Sequence, residues 1–273
     1  NFSVQLLLSM SGYFMAMKKV YISEEYFLFL KNQIPKIYIP CLFWSLIGLL
    51  IAFFLFGKPL LSEFLKMITF QTFGPYYFIA LIIQYYLLLP LLKRFSNMQG
   101  VLVSAIVSLL MTVLIFYIRY YTNISLPLII YAGLFPTWIV FFVYGLYWGS
   151  GGKTLISNKF LILGILISFL FSSIESYWLY SKLNQIGDAV TAVKLTSFIY
   201  SLFIIAFLFK NIDFVNMKAF NYLGRVSFGI YLIHMLILPI ASNILKKIPF
   251  LFNMQPISVL SGYKLNIVNC LSF

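Results

Sequence analysis

The stretch Tyr222–Leu238, YLGRVSFGIYLIHMLIL, decides how this chain is read. It has the character of a membrane-crossing helix, with Arg225 near one end and Pro239 just past the other, and it holds the only histidine of the sequence, His234. On a helix of about 3.6 residues per turn, Ser227, Tyr231 and His234 fall four and three positions apart and share a face. Ile230, Leu232, Ile233, Leu236 and Ile237 cover the other faces. Hydrocarbon offers a polar side chain no hydrogen-bond partner, so the stripe is expected to turn toward a protein interior. An ionisable group on such a helix commonly marks function, while a lone histidine can equally bond a neighbouring helix and hold a bundle together.

Composition carries the same reading to the whole chain. Of 273 residues, 62% are hydrophobic and 9% charged, against about a quarter charged in a soluble domain, so a water-soluble fold is excluded. A formal charge of +13 could suggest nucleic acid, but the basic residues stand singly or in pairs between apolar runs. That spacing fits anchoring against anionic lipid and excludes a nucleic-acid partner. Cys41 and Cys270 are too few and too distant for a disulfide framework, and one histidine without a cysteine pair excludes a structural zinc or other metal site. The chain opens directly in NFSVQLLLSMSGYFMAM, with neither an initiator Met nor a basic leader, and is expected to start part-way through its protein.

A bilayer core takes about 20 mostly apolar residues per helix. Eight stretches qualify: 2–17, 34–56, 74–92, 101–118, 128–148, 160–180, 194–210 and 225–245. The expected fold is all-α, a polytopic integral membrane helix bundle, with one transmembrane domain over 1–248 and a less apolar segment, 249–273, that reads as no span. If the link 18–33 is cytoplasmic, eleven Lys/Arg lie on the inner side and eight on the outer, the sign that the positive-inside rule requires.

Chemistry has few places to sit. Of six acidic residues only Glu175 is embedded, within SSIESYW. The serines beside it make a wet vestibule plausible in which Glu175 positions a hydroxyl-bearing substrate; a carboxylate bonded to its own neighbours is the plainer alternative. Gln84, midway along its span, is expected to bond another helix. Gly74-Pro75-Tyr76-Tyr77-Phe78 is an aromatic turn that either lines a mouth or anchors a helix start. Lys31 and Lys36 flank the start of the second span, where paired cations could hold donor phosphates or simply obey the positive-inside rule. There is no G-x-S-x-G, H-E-x-x-H or Walker A motif.

Several stretches together resemble the bacterial membrane acyltransferase-3 family, which O-acylates sugars and surface polysaccharides. SGYFMAMK, with Ser11 and Gly12, resembles the end of the family's second span, and FLKNQIPKIYIP (Phe29–Pro40) its basic third-span start. GPYYFIALIIQYYLLLPLL (Gly74–Leu92) resembles its aromatic span. PTWIVFFVYGLYWG (Pro136–Gly149) is similar to its helix with two glycines four apart, and YLGRVSFGIYLIHMLIL to its serine–tyrosine–histidine helix. The likeness runs over most of 1–245. It implies about ten helices, a cytoplasmic acyl donor, often acetyl-CoA, no permanently bound cofactor, and a cell-envelope polysaccharide or lipid-linked sugar as acceptor. It also implies a catalytic His on a first helix with an Arg about three turns before it. Neither is in this chain, and the third-span motif, two Arg in the family, reads Gln33 and Lys36.

The resemblance thus leads to an integral-membrane O-acyltransferase, with O-acetyl transfer to envelope polysaccharide the expected reaction, in a bacterial plasma membrane. His234 is the candidate catalytic residue within this chain, with Ser227, Tyr231, Glu175 and Tyr76 as substrate-binding candidates and Lys31 and Lys36 as candidates for the acyl donor. The alternatives are a polysaccharide exporter or flippase without covalent chemistry, in which the polar stripe and Glu175 line a conduit, and an inactive product of a disrupted gene.

Overall fold

A computed structural model describes residues 2–18, 24–122, 124, 126–154, 156–183, 193–211 and 218–245, with side chains of the last helix over 226–238 and at 241. The segment 249–273, Cys270 included, lies outside the described residues. Among those residues there are helices and no strand. They are α1 (Ser3–Ala16), α2 (Glu24–Phe56), α3 (Leu60–Ile68), a 3-10 turn (Gly74–Tyr76), α4 (Tyr77–Lys93) and α5 (Met98–Tyr121). There follow α6 (Leu128–Tyr131), α7 (Phe135–Gly149), α8 (Asn158–Leu183), α9 (Leu195–Lys210) and α10 (Lys218–Leu245). The all-α membrane fold read from the sequence is the fold observed.

Among the described residues, four helical stretches are long and apolar enough to cross a bilayer: Glu24–Phe56, Gly74–Lys93, Met98–Tyr121 and Asn158–Lys182. The apolar helices α1, α7 and α9 are shorter, and of the 28-residue α10 the described apolar part is Val226–Leu238. At 1.5 Å per residue, the 14 residues of α1 and 15 of α7 reach roughly 21–23 Å, short of a hydrocarbon core of about 30 Å.

The chain divides into two compact units, one of residues 1–31 and 81–215, the other of 32–80 and 216–273, so that α2 and α4 contribute to both.

In the first unit α1 lies against α7, α7 against α5, and α8 against α9. The α1–α7 pair is the closest, and glycine makes it possible. Gly12 faces the Phe142 carbonyl, Gly145 that of Ser9 and Gly149 that of Tyr13, and in each case an added Cβ would overlap the opposing oxygen. The Gly145-x-x-x-Gly149 spacing thus brings two backbones together as small residues do in membrane helix pairs. Around this seam Leu8, Trp138, Phe141, Phe142 and Leu146 are buried, and the Tyr85 ring stacks on Phe142 at 4.6 Å.

The sequence reading of 128–148 as one span needs correction. The helix is interrupted between Tyr131 and Phe135; the Ala132 and Gly133 amides still bond the Leu128 and Ile129 carbonyls, but the Ala132 and Gly133 carbonyls and the Phe135 amide need other partners. Side chains supply them. Gln84, the eighth of the 17 residues of α4, donates from Nε2 to the Gly133 carbonyl at 2.7 Å, and its Oε1 accepts from the Phe135 amide at 3.2 Å. Tyr85 donates its hydroxyl to the Phe135 carbonyl at 2.7 Å, and Trp138 its indole N–H to Ala132 at 2.7 Å. Ser108 on α5 donates to the Pro136 carbonyl and accepts from the Val140 amide, each at 3.1 Å. Irregular backbone within a membrane-embedded segment is tolerated only where protein satisfies it in this way.

In the second unit the later part of α2 packs on the segment before the 3-10 turn, Gly48 lying against Thr72 and Phe73. The helix α3 has its apolar residues outward, with Leu61 71% and Leu65 55% exposed, while Glu63 is buried and paired with Lys66 at 3.2 Å. A short helix with an outward apolar face and an inward ion pair suits the lipid boundary.

Gln84→Leu leaves the Gly133 carbonyl and the Phe135 amide unpaired inside the protein, which costs on the order of 2–4 kcal/mol. Thermal unfolding of the detergent-solubilised protein should show a clear drop in midpoint for this variant and little change for the lipid-facing Leu87→Val; equal midpoints would contradict the clamp.

Candidate active site

Gly74-Pro75 starts the 3-10 turn, where a proline at the second position fits the helical φ and costs no intrahelical hydrogen bond. The turn places Tyr76 in the interior of the second unit, fully buried. Its hydroxyl donates to the Leu232 carbonyl of α10 at 2.7 Å. Tyr231, beside Leu232, donates its hydroxyl to the Pro75 carbonyl, beside Tyr76. Two tyrosines therefore reach across to each other's backbone, and this reciprocal clasp fastens the turn to α10. Phe78 and Phe228 pack on the Tyr231 ring at 5.7 and 6.5 Å between centroids.

His234 lies one turn further along α10, half-buried, with its ring 5.7 Å from that of Tyr231. Its Nδ1 bonds the Tyr231 carbonyl. A carbonyl oxygen only accepts, so Nδ1 carries the proton. In the neutral ring the lone pair then stands on Nε2, the state in which histidine accepts a proton from a hydroxyl. Cys41 of α2 is fully buried in the same unit. Thr72, 2% exposed, has an Oγ1 with no hydrogen-bond partner among the described residues.

Of the residues singled out in the sequence, the structure brings together Tyr76, Tyr231 and His234. Ser227 is on α10 but exposed. Lys31 and Lys36 are both exposed on α2; five residues apart, they are separated by roughly 140° around the helix axis and do not share a face.

Glu175 belongs to the first unit, near the end of α8. Its Oε2 accepts from the Thr196 amide, at 3.1 Å, and from the Thr196 hydroxyl. Thr196 is the second residue of α9, so the carboxylate caps that helix and meets the positive end of its dipole. Lys194, at the N-cap of α9 and 3% exposed, donates to Ser176.

Sequence reading did not single out Cys41 and Thr72, both buried in the unit that holds the tyrosine clasp. No local pattern marks either; a fully buried thiol looks like any small core residue. Replacing Glu175 by Ala should lower stability by about 1 kcal/mol, the usual worth of an N-terminal cap, while Glu175→Gln retains an acceptor and most of that stability. Unfolding midpoints of the two variants check this directly; equal losses would show that the charge matters more than the hydrogen bonds.

A family model described as an acyltransferase domain matches residues 1–270. Comparison with curated proteins and with solved structures gives no match.

Proposed function

We propose that this chain, which belongs to the acyltransferase-3 family of membrane acyltransferases, moves an acetyl group from acetyl-CoA to a sugar hydroxyl of a cell-envelope polysaccharide or lipid-linked sugar, at a bacterial plasma membrane. Family membership supports acyl transfer. The observation that carries the role of this chain's own residues is the Nδ1 contact of His234, which leaves Nε2 as the basic nitrogen.

In the proposed reaction Nε2 of His234 takes the proton of the sugar hydroxyl as its oxygen attacks the thioester carbonyl. The tetrahedral intermediate collapses, the carbon–sulfur bond breaks, and the imidazolium returns the proton to the departing thiolate. General-base assistance of this kind contributes roughly 10²–10⁴-fold. Tyr231 fixes the ring through its backbone carbonyl, and Tyr76 holds the same turn of α10 through the Leu232 carbonyl, so both act by positioning. Ser227, exposed one turn before Tyr231, is proposed as a hydrogen-bonding contact for the sugar, and Glu175 as a separate contact to a hydroxyl-bearing acceptor. The exposed Lys31 and Lys36 are proposed to meet the phosphates of the donor as point charges.

The test is the O-acetyl content of surface polysaccharide in cells whose chromosomal gene carries His234→Ala, with the protein quantified in the membrane. The reading expects acetylation to fall by about 10²-fold or more at normal protein level, and Tyr231→Phe, which loosens the ring without removing it, to fall less. Unchanged acetylation in His234→Ala would remove His234 from the site.

A further inference from the structure

The first unit holds a crevice of about 220 Å³ between α4, α5 and α7. Leu88, Leu92 and Phe95 line it from α4 and the turn after it, Val103 and Val107 from α5, and Ile139 from α7. The only polar side chain on its wall is Ser104, whose hydroxyl is already given to the Val101 carbonyl at 2.8 Å. The walls therefore offer a guest no free hydrogen-bond donor. Apolar cavities of about 150 Å³ stay dry and take up apolar guests, and this space is larger. From Leu88 to Phe95 it runs roughly 10 Å along the chain direction of α4.

Its rim is open. Leu91 on α4 is 50%, Phe95 on the turn after it 41% and Val103 on α5 52% exposed, and both helices are long enough to span the bilayer. One end is strongly cationic. The α4 helix finishes at Lys93, and Arg94 follows immediately before the lining residue Phe95. Lys93 directs its ammonium to the Lys18 carbonyl, whereas Arg94 is exposed and forms no ion pair among the described residues. No acidic residue occurs in the sequence between Glu63 and Glu175. The helices α4, α5 and α7 thus carry nothing that could neutralise Arg94 or attract the amine of a zwitterionic headgroup.

We infer that this crevice is a binding site for an anionic glycerophospholipid, one acyl chain lying between α4, α5 and α7 and the headgroup phosphate meeting Arg94. A planar guanidinium matches phosphate through paired hydrogen bonds, and the position of Arg94 in the chain, next to the lining residue Phe95, assigns the polar end of the ligand. The site is independent of the acyl-transfer reading.

The test uses the full chain in phosphatidylcholine vesicles doped with a photoactivatable phosphatidylglycerol or, in parallel, a photoactivatable phosphatidylcholine of the same chain length. Label is mapped by peptide. The wild type should label on the α4, α5 and α7 segments about fivefold more from phosphatidylglycerol, the factor one basic residue contributes at a membrane surface. Arg94→Gln, an exposed change that leaves the fold intact, should bring phosphatidylglycerol labelling down to the phosphatidylcholine level. Val107→Trp, which fills the crevice, should abolish labelling of those segments by both lipids. Equal labelling of the wild type by the two lipids, label spread evenly over all helices, or an undiminished preference in Arg94→Gln would overturn the proposal.

Discussion

Hydrocarbon does not hydrogen-bond, and most of this molecule follows from that constraint. Helices satisfy their own backbone, so an apolar chain in a membrane is helical nearly throughout. Where this chain departs from helix, side chains must replace the missing partners. The interruption between α6 and α7 depends on Gln84, whose amide bonds one backbone carbonyl and one backbone amide at once. Tyr85, Ser108 and Trp138 complete the set. A glutamine is suited to this work because it donates and accepts without a charge, and a charge would be costly at that depth.

The same constraint shapes the candidate site. A tyrosine hydroxyl inside an apolar unit has to find an acceptor, and Tyr76 and Tyr231 find each other's neighbouring carbonyls. What results is a rigid support for His234, whose own Nδ1 is occupied by the backbone one turn back. Close approach of helices elsewhere rests on glycine in place of side-chain interlocking, as the α1–α7 seam shows at Gly12, Gly145 and Gly149.

Much of this is legible in the sequence because a spanning helix announces itself by composition. The helical nature of Tyr222–Leu238 and the inward position of Tyr231 and His234 follow from spacing alone. Ser227, on the same stripe, is exposed, because a stripe extends over more turns than the neighbouring segment covers. The break at 132–134 is hidden by the apolar run around it; Gly133 and Pro136, three residues apart, are its only mark. The cap that Glu175 places on α9 is also unreadable locally, since Thr196 lies 21 residues further along the chain. Pairings across helices need the packing, and one sequence does not contain it.

The central claim, acyl transfer by this family member on a hydroxyl acceptor, is tested most directly by reconstitution. The full-length protein would be placed in proteoliposomes with acetyl-labelled acetyl-CoA and envelope polysaccharide, and label on the polymer counted over time. Covalent label that accumulates on the polysaccharide and is released by mild alkali is the predicted result. Label that stays on coenzyme A while polymer crosses the vesicle membrane would contradict the account and identify an exporter.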